Sequence, residues 1–81
     1  MDINIKEAVS DVVRKAMAHT TDETIRTKFH ALLESVQNNQ HDGNVVMQKA
    51  LSRMKHLTIN DAIRLSLAEA IPMPQGWYWK F

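Results

Sequence analysis

The two glycines and two prolines of this chain all lie after residue 42. Nothing before that point breaks a helix, and a long stretch without breakers favours helices over a sheet. Apolar residues in the stretch recur at helical spacing. Ile5, Ala8, Val9, Val12, Val13 and Ala16 share one stripe at about 100° per residue, with Glu7, Ser10, Asp11 and Arg14 opposite. The pattern predicts a first helix over 4–18, capped by Asn4 or Asp2. Its β-branched valines lower intrinsic helicity, so packing must hold it.

The remaining elements follow from similar signals. Thr20 with Glu23 reads as a capping box for a second helix over 21–37, whose seam is Ile25, Phe29, Leu32 and Val36 with Leu33 beside it. Residues 37–44 are amides, His41, Asp42-Gly43 and Asn44, with no apolar side chain, and read as a solvated loop. A third helix is expected over 45–56, with Val46, Met47, Ala50, Leu51, Met54 and Leu57 on its apolar face. A fourth over 60–71 is capped by Thr58 with Asp61, or by Asn60, and is stopped by Pro72. Ile59, Ile63, Leu67, Ala70 and Ile71 share one face of it, while Leu65 and Ala68 point elsewhere. The expected core is Val9, Val12, Val13, Phe29, Leu32, Val36, Leu51, Met54, Ile63 and Leu67.

The fold class that results is all-α: a small four-helix bundle or paired helical hairpins, with an extended aromatic C-terminal tail. Eighty-one residues make one domain, 1–81, with the tail at 72–81 folding back on helix four.

Composition excludes several functions. The chain has no cysteine, which removes disulfides, thiolate metal sites and a cysteine nucleophile. Ten Lys and Arg against nine Asp and Glu leave a net charge of +1, so overall charge calls for no polyanionic partner. The N-terminal residues lack a basic leader with an apolar run, and no stretch approaches the ~20 apolar residues of a membrane helix. A cytoplasmic protein that does not enter membranes is expected. His19, His30, His41 and His56 do not pair at helical metal-ligand spacing, and no serine sits in a nucleophile elbow. No catalytic residue, cofactor or metal is therefore expected.

Two features stand out. No acid lies between Asp42 and Asp61, whereas Lys49, Arg53, Lys55 and His56 all do, and Lys49, Arg53 and His56 form a stripe on helix three. Such a stripe suits an acidic partner or nucleic acid unless acids elsewhere in the fold compensate it. Four of the five aromatic residues occupy the last five positions: Trp77, Tyr78, Trp79 and Phe81, around Lys80. In an extended segment Trp77, Trp79 and Phe81 project to one side and Tyr78 to the other. The first set has the area to cover Leu65 and Ala68. Tyr78 is left as an accessible anchor, and such rings are enriched in binding hot spots.

These features point to a non-catalytic regulator or inhibitor that occupies a surface of a larger protein, with a homodimer compatible with the same reading. Small cysteine-free helical chains are common among phage and mobile-element accessory proteins, an analogy of composition alone. The second reading is a small DNA-binding regulator using Lys49, Arg53, Lys55 and Arg64. Against it, helix four carries only Arg64 as a base and few polar side chains to meet base edges.

Overall fold

The computed structural model describes residues 4–79. It contains α1 (Ile5–Ala18), α2 (Glu23–Gln37), α3 (His41–Arg53) and α4 (Ile59–Ala70), and no strand among the described residues. The all-α class holds. Neighbouring helices in the chain pack on each other, and α1 also meets α3 and α4. The backbones of α2 and α4 do not come as close to each other, and α3 lies between them.

The helix starts show what anchors each element. Asn4 Oδ1 accepts from the Glu7 N–H at 3.1 Å and caps α1; Asp2 lies outside the described residues. The cap of α2 is Asp22 and not Thr20: its Oδ1 accepts from the N–H groups of Thr24 and Ile25 at 2.9 and 3.2 Å. Thr20 is buried after the end of α1, and a carboxylate is the better acceptor at the positive end of a helix. At α4, Thr58 and Asp61 cap each other: Asp61 N–H donates to Thr58 Oγ1 at 3.3 Å, and that hydroxyl donates to Asp61 Oδ2 at 2.9 Å.

The expected loop over 37–44 shrinks to residues 38–40, because α3 starts four residues earlier than its apolar pattern suggests. Asn39 takes φ 54°, the left-handed conformation that ends many helices and that asparagine tolerates. Its carbonyl accepts from Asn44 Nδ2 at 2.8 Å across the turn. Gly43 is a buried contact within α3 and no turn residue. A Cβ there would sit 2.5 Å from backbone atoms of Ser35 and Val36, and the Gly43 N–H donates to Ser35 Oγ at 2.6 Å. Asp-Gly in this chain marks the close approach of two helices.

The core runs through all four helices. Val9, Val12, Val13 and Ala16 of α1 meet Phe29, Leu32 and Val36 of α2, with Val46, Met47 and Ala50 from α3 and Ile63 and Leu67 from α4. Leu51 and Met54 are corrections to the expected core. Leu51 is 42% exposed, since the buried face of α3 is set by Gly43, Val46, Met47 and Ala50, and Leu51 lies about 100° round the helix from Ala50. Met54 is only partly buried and Leu57 is exposed, because α3 ends at Arg53 and both fall in the following turn.

Candidate functional site

The basic stripe is divided by the fold. Lys49 Nζ lies 3.3 Å from Glu69 Oε2, and Arg53 donates both to Glu69 Oε1 and, at 2.9 Å, to Ser66 Oγ. Ser66 passes the bond on to the Ala62 carbonyl at 2.8 Å. Glu69 thus meets two cations of α3 from the facing side of α4. The Arg53 hydrogen bond, and after it that of Lys49, holds its carboxyl below the usual glutamate value. The stripe is partly compensated at its centre, one carboxylate against two cations, and these residues brace α3 against α4. Lys55 and His56 lie exposed in the turn that follows α3.

The tail is ordered by aromatic packing. Ile71 adopts extended geometry (φ −127°, ψ 100°), as the residue before a proline prefers. A turn then follows in which the Trp77 N–H donates to the Pro74 carbonyl at 3.1 Å and Gly76 takes φ 93°. A positive φ at the third turn position is the condition that glycine meets without strain. Beyond the turn, Trp77 and Trp79 converge on Phe29 of α2. Their ring centroids lie 6.1 and 5.3 Å from it, and 5.0 Å from each other in an edge-to-face pair. Such pairs contribute beyond the area they bury.

The cover expected over Leu65 is not there: Leu65 is 46% exposed, and the two indoles lie against the buried ring of α2 instead. Phe29 offers a fully buried aromatic surface to pack on, which the aliphatic outer edge of α4 does not. Tyr78 projects away from its neighbours and is 71% exposed. Phe81 and Lys80 lie outside the described residues.

The path of the tail creates a feature that sequence reasoning missed. Between α2 and the α4–tail junction, an open groove of about 440 Å³ runs past the start of α3. Lys28, Ala31 and Leu32 form the α2 wall. Ala70, Ile71 and Pro72 form the opposite wall. His41, Asp42 and Val45 close the end on α3. The groove exists because α2 and α4 do not come as close to each other as either does to α3, and because alanines at 31 and 70 leave space between the walls. Three of its residues lie within or beside the segment that reads as a loop, which hid it. The signal available was modest: Lys28, Ala31 and Leu32 share a helix face on which a small residue follows a cation.

No helix among the described residues is long and apolar enough to cross a membrane. Comparison with protein families, curated proteins and solved structures found no match.

Proposed function

We propose that this chain is a small non-catalytic binding protein, a regulator or inhibitor that acts by occupying a surface of a larger protein. The observation that carries the reading is Tyr78. It is 71% exposed while both adjacent residues are packed against Phe29. A ring presented on an anchored backbone loses little conformational freedom on binding, and tyrosine is favoured at interface hot spots. A large aromatic that served only the fold would turn inward with its neighbours. A cytoplasmic location and an accessory role in a phage or mobile element accord with this reading and rest on composition.

The alternative, a DNA-binding regulator, draws less support because Glu69 engages Lys49 and Arg53 and offsets part of the charge at the centre of the basic stripe. Steep loss of duplex affinity with rising salt is the behaviour that would restore it.

The test is a photo-crosslinking amino acid placed at position 78 in the native host, with the same group at Leu65 as a control. Position 78 should trap a discrete protein that position 65 does not. Equal trapping at both, or none at 78, would remove the role assigned to Tyr78.

A further inference from the structure

We propose that residues 77–79 form a flap that opens and closes over Phe29 about Gly76 while the four helices stay folded. It requires no role for Tyr78.

The flap and the bundle are held by unequal means. Val9, Val13, Val36, Val46, Ile63 and Leu67 are fully buried, and they come from all four helices. The flap adds only Trp77 and Trp79, which pack on that core yet stay half-buried. The backbone bond that shapes its turn, from the Trp77 N–H to the Pro74 carbonyl, is internal to the tail. Lifting the flap exposes part of two rings and the face of Phe29 beneath them. Separating the helices exposes the whole core. Free energies of opening rise with the apolar surface released, so the flap opens at far smaller cost than the bundle.

The movement is confined to one turn. Pro72 and Pro74 fix their own φ and hold Ile71 and Met73 extended, so the arm that leads to the turn is stiff. Ile71 is buried and Met73 packs on the core, which ties this arm down. Gly76 is the soft point. It takes φ 93°, and a Cβ built there meets nothing within 4 Å. The closed turn therefore depends on the backbone freedom of glycine and not on space. Gly43 is the reverse case, where an added methyl would strike backbone. An L side chain at 76 penalises the closed flap without touching the bundle, and a D side chain favours it. Closed, the flap hides Phe29 completely; open, it presents that ring and two free indoles.

Hydrogen exchange of the full chain in low urea, read by NMR, tests this. The Trp77 amide reports the turn directly. Relative to intrinsic rates, it should exchange at least tenfold faster than the Val13 and Leu32 amides and depend little on urea. The two core amides should follow the slope of global unfolding. Gly76→Ala should speed Trp77 exchange about tenfold, the order of the penalty for an L residue at a left-handed φ. A D-alanine placed at 76 by chemical synthesis should slow it. Oxidative footprinting of Trp77 and Trp79, the two tryptophans of the chain, should rise with the L residue and fall with the D residue. Circular dichroism should keep its helical signal in both. The proposal is overturned if the Trp77 amide shares the rate and urea slope of the core amides, since the flap then opens only with the whole fold. It is equally overturned if the L and D residues shift exchange in the same direction, or if indole labelling does not follow the amide.

Discussion

Between α1 and α2 the contact is apolar along its length, with Val9, Val13 and Ala16 against Phe29, Leu32 and Val36, closed by one polar tie from Gln37 Nε2 to Ser10 Oγ at 2.7 Å. Between α3 and α4 the inner contact is also apolar, but the outer edge is built from Lys49, Arg53, Ser66 and Glu69, while Leu51, Leu57 and Leu65 stay exposed. The first pair conforms to its hydrophobic periodicity. In the second, charge pairing and the approach of α2 decide which face is inward. Stability should therefore be concentrated on α2, which packs on α1, α3 and the tail, and be most adjustable along the α3–α4 edge.

The largest effect should come from Phe29, which joins the apolar seam to the aromatic tail. Phe29→Ala should cost about 3–5 kcal/mol, the usual range for a buried aromatic, measured by denaturant unfolding. A loss below about 1 kcal/mol, typical of surface substitutions or less, would mean the seam does not centre on this ring.

Gly43→Ala comes next. The added methyl would meet the backbone of Ser35 and Val36 at 2.5 Å, and backbone cannot move aside as a side chain can. Overpacking of this kind costs about 1–3 kcal/mol, against the small gain in helix propensity that alanine brings elsewhere. A thermal melt in which the variant is as stable as the parent would show that α2 and α3 are not held at this distance.

The smallest effect is expected at Glu69, on the exposed edge. Glu69→Gln should lower Tm slightly at neutral pH and low salt, with the gap shrinking as salt screens the pairs. The sign with pH follows from the lowered carboxyl. Its contribution is present above the ordinary glutamate value and is lost as pH falls through the lower folded value. Melts across that range should show parent and variant converging in acid. A gap that widens in acid would contradict the brace.

Legibility in the sequence follows the same division. Where a helix face packs on a continuous apolar layer, spacing located most of it: Val9, Val12, Val13 and Ala16 of α1, the Ile25–Val36 seam of α2 and the Ile63–Leu67 face of α4 lie inside, although Ser10, which spacing sets opposite the α1 stripe, is also fully buried, under Gln37. At α3 periodicity found the buried Val46, Met47 and Ala50 but not where the helix begins or how narrow its inner face is. Its first turn is His41-Asp42-Gly43-Asn44, which has the composition of a loop, and it is helical because Ser35 receives the Gly43 N–H and Asn39 turns the chain. The misplaced start concealed the groove, while Leu51 and Met54 entered the expected core because the apolar pattern is wider than the buried face and runs past the end of α3 at Arg53. For the site residues, alternation along the tail placed Tyr78 on the opposite side from Trp77 and Trp79, as found. The partner of the two indoles was not legible, since nothing local distinguishes Phe29 from Leu65 as their support. Nor does any neighbour in sequence reveal that Lys49 and Arg53 share Glu69, which is sixteen residues from Arg53.

The central claim is that the tail divides its labour: Trp77 and Trp79 hold the fold through Phe29, and Tyr78 is offered to a partner. The most direct measurement compares Trp79→Ala and Tyr78→Ala for both thermal stability and affinity for the protein trapped at position 78. Trp79→Ala should lower stability by about 1.5–3 kcal/mol, the order of the transfer free energy of a large apolar side chain and less than for Phe29, because Trp79 is only partly buried. Tyr78→Ala should leave the melt unchanged and weaken binding about tenfold or more, or about 1.4 kcal/mol. If instead Tyr78→Ala destabilises the chain, or binds as well as the parent while Trp79→Ala melts normally, the tail has neither of the roles assigned to it.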